Sequence, residues 1–135
     1  MTDIAEQVKA IGLGELSERM GIELLEASAE RVVARMPVDG NRQPFGLLHG
    51  GANVVLAESI GSIAAAIHGN GRIPVGLDVS ATHHRAVTEG WVTGVAQAIS
   101  LGRTIAAYEI VITDEAGRRT CTARLTCLLR DPPTG

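Results

Sequence analysis

One carboxylate lies in the most apolar stretch of the sequence. Glu58 is surrounded by Ala, Val, Leu and Ile between residues 52 and 67. Burying an unpaired carboxylate is costly, so this group must have a partner, be protonated or line a cavity. In a partly apolar cavity it can act as a nucleophile or a general base. Ser62 follows one helical turn later on the same face. The pattern alone leaves open a structural alternative, in which Glu58 is bonded to an arginine or to the backbone.

A second candidate, His49-Gly50-Gly51, immediately precedes the apolar stretch. The first amides of a helix lack internal partners, and together with the helix dipole they attract negative charge. Glycine lets a ligand approach the backbone closely. The Gly50 N–H therefore suits a thioester carbonyl that becomes an oxyanion during acyl transfer. The alternative is an ordinary junction between a loop and a helix.

Gly50 and Glu58 are eight positions apart. On one helix this spacing is about 12 Å of rise, which is too far for one reacting carbon to contact both groups. If both act on one thioester, the amide comes from one chain and the carboxylate from another. The sequence therefore predicts a homodimer with a composite site.

The elements that position these groups follow from hydrophobic patterning. Residues 49–67 predict a helix that is apolar on nearly every side, as a buried helix is, and that ends at Gly69-Asn70-Gly71. Residues 3–20 predict one or two short helices, interrupted near Gly12 and Gly14. Strand patterns separated by short turns are found in six segments, 22–28, 31–38, 73–85, 91–100, 103–114 and 118–129. This order predicts a single α+β domain over residues 1–135, with one antiparallel sheet around one central helix.

Residues 43–62, which include His49 and Glu58, resemble the active-site segment of hotdog-fold thioesterases. The resemblance continues through residues 81–85, 101–103 and 117–119, and so covers nearly the whole chain. The most similar branch holds acyl-CoA thioesterases of the menaquinone and enterobactin pathways and the Arthrobacter-type 4-hydroxybenzoyl-CoA thioesterase. The resemblance implies the hotdog fold, in which an antiparallel sheet wraps around one long central helix.

The resemblance also implies roles for five residues. Glu58 matches the catalytic carboxylate, acting across the dimer interface, and Gly50 matches the backbone donor to the thioester carbonyl. His49 and Gln43 match residues that orient the carbonyl or the attacking water. Ser62 matches a polar residue beside the carboxylate. No expected catalytic residue is replaced in this sequence.

Candidates for the coenzyme A (CoA) end of a substrate lie further along the chain. His84, Arg85, Gly102 and Arg103 are candidates to bind the nucleotide phosphates, because cations and turn amides suit phosphate. His83 alternates with His84 along a strand, so only one can face the site, and we expect it to be His84. The alternative is that these charges are solvated groups at strand ends. Ala86 departs from the family pattern, because relatives often have proline there.

Composition excludes several other classes of function. The net charge of −3 and the lack of a basic cluster argue against nucleic-acid binding. The acidic N-terminus does not resemble a signal peptide, and Glu58 interrupts the apolar stretch, so neither secretion nor a membrane span is expected. We therefore expect a cytoplasmic protein. No metal-ligand spacing is present, and Cys121 and Cys127 suit small buried side chains.

Together these features predict an acyl-CoA thioesterase that hydrolyses an aryl- or acyl-CoA thioester to the free acid and CoA. We expect no cofactor, because CoA is part of the substrate, and the family implies that two dimers pair into a homotetramer. One alternative is an enoyl-thioester hydratase on the same fold, since fold alone does not determine function. The other is a non-catalytic module that binds acyl-CoA.

Overall fold

The computed structural model describes residues 3–133, which form one antiparallel sheet around one long helix. The α+β hotdog architecture expected from the sequence is confirmed. The helices are α1 (Ile4–Ile11), α2 (Glu15–Arg19) and α3 (Gly50–Gly69). The strands are β1 (Glu23–Ala27), β2 (Arg31–Pro37), β3 (Ile73–His83), β4 (Trp91–Leu101), β5 (Ile105–Thr113) and β6 (Arg119–Arg130).

The sheet has six strands in the order β1-β2-β4-β5-β6-β3, with every neighbouring pair antiparallel. The chain passes from β2 through α3 to β3 at the far edge, and then returns to β4 beside β2. This path lays α3 across the sheet, where it packs against β2 to β6. Both β1 and β3 are edge strands.

Helix α3 is the buried helix that the sequence predicts. His49 caps its start, and Asn70 ends it in the left-handed conformation at φ 48°. By length and composition α3 meets the requirements of a membrane-spanning helix. The expectation that this segment is too short and too polar to span a membrane is therefore corrected. Its apolar character has a different physical reason, because nine of its residues are buried, most of them against the sheet.

The N-terminal helices are short because two glycines separate them. Gly12 and Gly14 have φ values of 100° and 94°, a conformation that interrupts a helix and favours glycine. The Ser17 hydroxyl on α2 donates a hydrogen bond to the Ser59 hydroxyl on α3 at 3.2 Å. This hydrogen bond links α2 to the exposed side of α3.

The core is built mainly from aliphatic side chains, with Tyr108 as its largest fully buried member. The Tyr108 hydroxyl donates to the Ala29 carbonyl at 2.7 Å. Burial raises the pKa of Tyr108 to about 12, and the nearby Cys127 and Glu30 add to the shift. Cys121 and Cys127 are free, buried thiols, as expected from their positions on one face of a strand.

Candidate active site

One cavity lies at the N-terminus of α3 and measures about 350 Å³. Gly50 is the first residue of the helix, so its N–H has no partner within the helix. Side chains and backbone from the loop before α3 and from the end of β3 surround it. The lining residues are Gln43, Leu47, Leu48, Gly50, Asn53, His83, His84, Arg85, Ala86 and Val87.

Hydrogen-bond donors dominate the polar groups around Gly50. The Nδ1 atom of His49 accepts from the Gly51 N–H at 2.8 Å, which leaves the ring proton on Nε2. The Oε1 atom of Gln43 accepts from the Phe45 and Leu47 amides, so only the NH₂ group of Gln43 remains to face a ligand. A cavity lined in this way complements an acceptor such as a carbonyl oxygen.

His83, and not His84, is the histidine that lies against Gly50. The Nε2 atom of His83 is 2.9 Å from the position that a Cβ on Gly50 would take. His84 borders the same cavity but bonds to the Thr122 hydroxyl through Nε2 at 2.8 Å. The expectation that only one of them faces the site is wrong. Strand β3 ends at His83, and the amides of His84 and Arg85 both reach the Thr120 carbonyl, so the strand alternation stops there.

The second cavity measures about 430 Å³ and contains Glu58. Its walls are largely apolar, with one side from α3 and the other from the start of α2 and the residues before it. Its lining residues are Leu13, Leu16, Val55, Glu58, Ser59, Ser62, Ile63 and Ala66. Half-buried Glu58 makes no hydrogen bond or ion pair with any residue from 3 to 133. Its Oε2 atom instead lies against the backbone of Gly76 in β3.

Ser62 and Cys127 lie close to Glu58. Burial raises the pKa of the Cys127 thiol, a hydrogen bond with Ser62 opposes that shift, and the Glu58 carboxylate adds to it. The thiol therefore stays protonated beneath the cavity. This arrangement places Ser62 beside the carboxylate, where the sequence pattern had located it.

Arg103 and Gly102 lie away from both cavities, near the C-terminus of α3. Arg103 shares a third cavity with Arg72 and Arg130. The Gly102 carbonyl is bonded to His68 Nε2 at 2.7 Å. Because α3 has 20 residues, the two ends of the helix are about 30 Å apart. One chain therefore does not bring Arg103 together with His84 and Arg85.

Within residues 3–133, no group of three His, Cys, Asp or Glu side chains could hold a metal ion. The polar groups that remain are an unpaired carboxylate in one cavity and a set of N–H donors in another. Residues 45–121, more than half of the chain, match the family model described as Thioesterase superfamily. The chain belongs to the thioesterase superfamily.

This thioesterase is similar to the proofreading thioesterase EntH of Cronobacter turicensis, with 49% identity over 123 residues that cover 90% of each chain. A solved structure of a mutant form of thioesterase PA1618 from Pseudomonas aeruginosa has a TM-score of 0.88 and 41% identity, covering 96% of both chains. Thioesterase HI1161 from Haemophilus influenzae has a TM-score of 0.88 and 38% identity, covering 97% of this chain and 93% of that one. The chain is therefore a thioester hydrolase with the hotdog fold.

Sequence reasoning missed two polar residues of this thioesterase. Asn53, which is only 5% exposed, contacts His83 through its side chain. A signal for Asn53 was present, because it is a polar residue one turn after Gly50 on an otherwise apolar helix. The position of His83 carried no such signal, because it depends on where β3 ends.

Proposed function

We propose that this thioesterase hydrolyses an acyl-CoA or aryl-CoA thioester, with Gly50 of one protomer and Glu58 of the partner subunit at each site. The observation that carries the proposal is the Glu58 carboxylate, which is half-buried in an apolar cavity and makes no hydrogen bond or ion pair with residues 3–133. A structural carboxylate in such surroundings needs a partner. A carboxylate that lines a cavity can remain without one, and it is then available to a substrate.

In this proposal the thioester carbonyl accepts a hydrogen bond from the Gly50 N–H. The start of α3 adds its dipole, which favours the negative charge that develops on the oxygen. The Gln43 side chain borders the same space, and His49 caps the helix immediately before Gly50. In this proposal their N–H groups orient the carbonyl or the water. The donor side of the site thus stabilises the transition state more than the uncharged thioester.

Glu58 can act by two routes. As a nucleophile, one carboxylate oxygen bonds to the carbonyl carbon, the C–S bond breaks, and CoA leaves as a thiolate that takes up a proton. Water then hydrolyses the mixed anhydride to the free acid and restores Glu58. As a general base, Glu58 takes a proton from water, whose oxygen attacks the carbonyl carbon directly. The C–S bond then breaks, and CoA leaves as a thiolate that takes up the proton from Glu58. Both routes need the carboxylate unpaired.

The composite site requires a specific dimer, and β3 suits it. This edge strand carries exposed apolar side chains, Ile73, Val75 and Leu77, although edge strands usually avoid such groups because they invite pairing. The Glu58 carboxylate lies against β3 at Gly76, and the cavity at Gly50 borders the same strand at His83. A two-fold pairing of β3 strands with Gly76 opposite His83 of the partner subunit aligns Glu58 of each chain with the Gly50 cavity of the other.

The same pairing of β3 strands explains how candidate CoA-binding residues at opposite ends of α3 can act on one substrate. It runs the two β3 strands antiparallel, so the start of one lies beside the end of the other. Arg103 of the partner subunit then approaches His84 and Arg85, and together they can bind nucleotide phosphates. A tetramer formed from two such dimers, and a cytoplasmic location, remain predictions from the sequence.

The acyl group in this proposal occupies the space between α2 and α3. The apolar lining by Leu13, Leu16 and Ile63 supports a hydrophobic acyl group. An aryl group such as hydroxybenzoyl, dihydroxynaphthoyl or phenylacetyl is the first candidate. A medium-chain fatty acyl group is the second, and a thioester on a carrier protein is the third.

The decisive experiment is a thiol-release assay with benzoyl-, 4-hydroxybenzoyl-, phenylacetyl-, hexanoyl- and octanoyl-CoA, run with wild type and Glu58→Ala. Release by wild type and its loss in a folded Glu58→Ala variant support the proposal. Near-normal kcat in the variant rules out Glu58 as the reacting group. No release from any CoA thioester points to a carrier-protein substrate, and loss of absorbance from an enoyl-CoA would instead indicate a hydratase.

A further inference from the structure

Asn53 is a buried polar side chain whose contacts the proposed reaction does not explain. It lies on the apolar helix α3, one turn after Gly50, and is 5% exposed. Its Nδ2 atom is 3.3 Å from Nδ1 of His83. Its Oδ1 atom is buried and has no hydrogen-bond partner among residues 3–133. An unsatisfied buried acceptor is destabilising and calls for a reason in function.

The contact with Asn53 determines which nitrogen of His83 carries the proton. Since Nδ2 of Asn53 is a donor, Nδ1 of His83 is the acceptor, and the neutral ring holds its proton on Nε2. The reverse amide orientation would satisfy Oδ1 but leave the NH₂ group buried without an acceptor. Orphaned buried N–H groups are rarer in proteins than under-satisfied carbonyls, which favours the orientation observed.

The protonated nitrogen of His83 lies beside the amide that we propose binds the carbonyl. Nε2 has no hydrogen-bond partner among residues 3–133 and is 2.9 Å from the position of a Cβ on Gly50. That position is about 2.5 Å from the Gly50 nitrogen by standard covalent geometry. The two nitrogens are therefore at most about 5.4 Å apart, the sum of these two distances. A carbonyl oxygen that accepts along its two lone-pair directions, at about 2.9 Å from each donor, spans two donors about 5 Å apart, which lies within this bound.

We propose that His83 is a second N–H donor to the thioester carbonyl beside the Gly50 amide, and that Asn53 is the positioning residue that holds His83 in the required tautomer. This inference rests on the proposed function, because it assigns the carbonyl to the Gly50 cavity. It also explains why residue 50 is glycine, since any side chain there would displace the His83 ring.

Asn53→Leu separates this role from a structural one. The substitution removes both the hydrogen bond to His83 and the unsatisfied Oδ1 atom, so the Tm should stay equal or rise. The kcat should fall at least about tenfold, with KM changed much less, because a directed donor is lost. Gln97→Leu, at an exposed position of β4 away from both cavities, is the control for the change of side chain. Loss of activity together with a large fall in Tm, or unchanged kcat, would count against the proposal.

Two spectroscopic measurements do not depend on turnover. Ring nitrogen shifts of isotope-labelled His83 in the wild-type dimer should give the Nε2–H tautomer, and Asn53→Asp should change it to Nδ1–H, because a carboxylate only accepts. The carbonyl stretching frequency of benzoyl-CoA bound to Glu58→Ala should be lowered relative to water and should rise again when His83→Ala is added. A proton on Nδ1 of His83 in the wild type, or a carbonyl frequency unaffected by His83→Ala, would overturn the proposal.

Failure of this inference can be distinguished from failure of the proposed function. If wild type releases thiol and Glu58→Ala does not, the reaction and its carboxylate stand, whatever the His83 variants do. In that setting His83→Ala should lower kcat about 100-fold, as removal of one oxyanion donor does in other enzymes. A kcat within about twofold of wild type would refute the role of His83 while leaving Glu58 in place.

Discussion

The Oε2 atom of Glu58 lies 2.5 Å from the position that a Cβ atom on Gly76 would occupy. The carboxylate and the edge strand are therefore in direct contact, and the strand backbone limits where the carboxylate can be. The absence of a side chain at residue 76 is what leaves room for the carboxylate.

Gly76→Ala tests this relationship. The new methyl group must displace the end of a flexible side chain and not the backbone, so the Tm should change little. Displacement of the carboxylate by about 1 Å should lower kcat by up to about 100-fold. Steady-state kinetics and thermal unfolding provide the two readouts. Gly69→Ala, where a Cβ would make only ordinary contact, should leave kcat near wild type.

The amide of Gly50 can be removed without disrupting the helix. Proline is tolerated at the first helical position, and His49 before it already has the extended conformation, at φ −63° and ψ 130°, that a residue before proline prefers. Gly50→Pro should lower kcat about 100-fold or more relative to Gly50→Ala, which keeps the N–H and adds the same Cβ. Equal kcat values for the two variants would exclude the amide as an oxyanion donor.

The composite site predicts complementation between two inactive variants. Gly50→Pro and Glu58→Ala, refolded together in equal amounts, should give half heterodimers, each with one intact site. The mixture should therefore recover about a quarter of wild-type activity from a two-fold symmetric dimer. Each variant refolded alone is the control. A mixture as inactive as its components would mean that both residues act within one chain.

The arginines at the two ends of α3 should affect substrate binding more than chemistry. Arg85→Ala and Arg103→Ala should each raise KM for a CoA thioester about tenfold or more while changing kcat by less than about twofold. The same variants should show a smaller effect with a pantetheine thioester, which lacks the nucleotide. Arg118→Ala, in a turn where the arginine pairs with Asp114, is the matched control. A fall in kcat with unchanged KM would assign these arginines another role.

Stability at high pH should depend on Tyr108. Its pKa is raised from 10.0 to about 12 in the folded protein, so between those values only the unfolded chain loses the phenolic proton. The stabilising contribution of the neutral Tyr108 hydroxyl is therefore complete below pH 10. As the pH rises from 10 towards 12, the free energy of unfolding falls by up to about 2–3 kcal/mol. Urea unfolding across this range should show a steeper decline for wild type than for Tyr108→Phe. An equal fall in the free energy of unfolding for wild type and Tyr108→Phe would contradict the role of Tyr108 in this pH dependence.

The sequence was sufficient for most of the fold because its signals are local. Gly12 and Gly14 interrupt the N-terminal helices where expected, and the apolar pattern of residues 49–67 identifies α3. The separation of Gly50 and Glu58 also follows from helix geometry alone. In each case a short-range rule, the helical rise or a glycine conformation, decides the structure.

The parts that the sequence could not predict depend on contacts between distant segments. The His84 prediction assumed a strand through Arg85, but the carbonyl of Thr120 on β6 receives both of the next two amides and ends β3 at His83. Likewise Arg103 joins Arg72 and Arg130 through the order of strands in the sheet. The spacing of residues within one segment does not encode these contacts between distant segments.

The cavity around Glu58 has two walls of different origin. One is α3, which also carries Gly50, so a change in this helix affects both groups that we propose act on the thioester. The other is the short segment that contains Leu13 and Leu16. Gly12 and Gly14 interrupt the helices there, and the Ser17–Ser59 hydrogen bond links this segment to α3. In the proposed reaction, reactivity and acyl selectivity are thus encoded in separate stretches of sequence. If the proposed reaction holds, substitutions at Leu13 and Leu16 change the acyl group that is accepted and leave α3 unaltered.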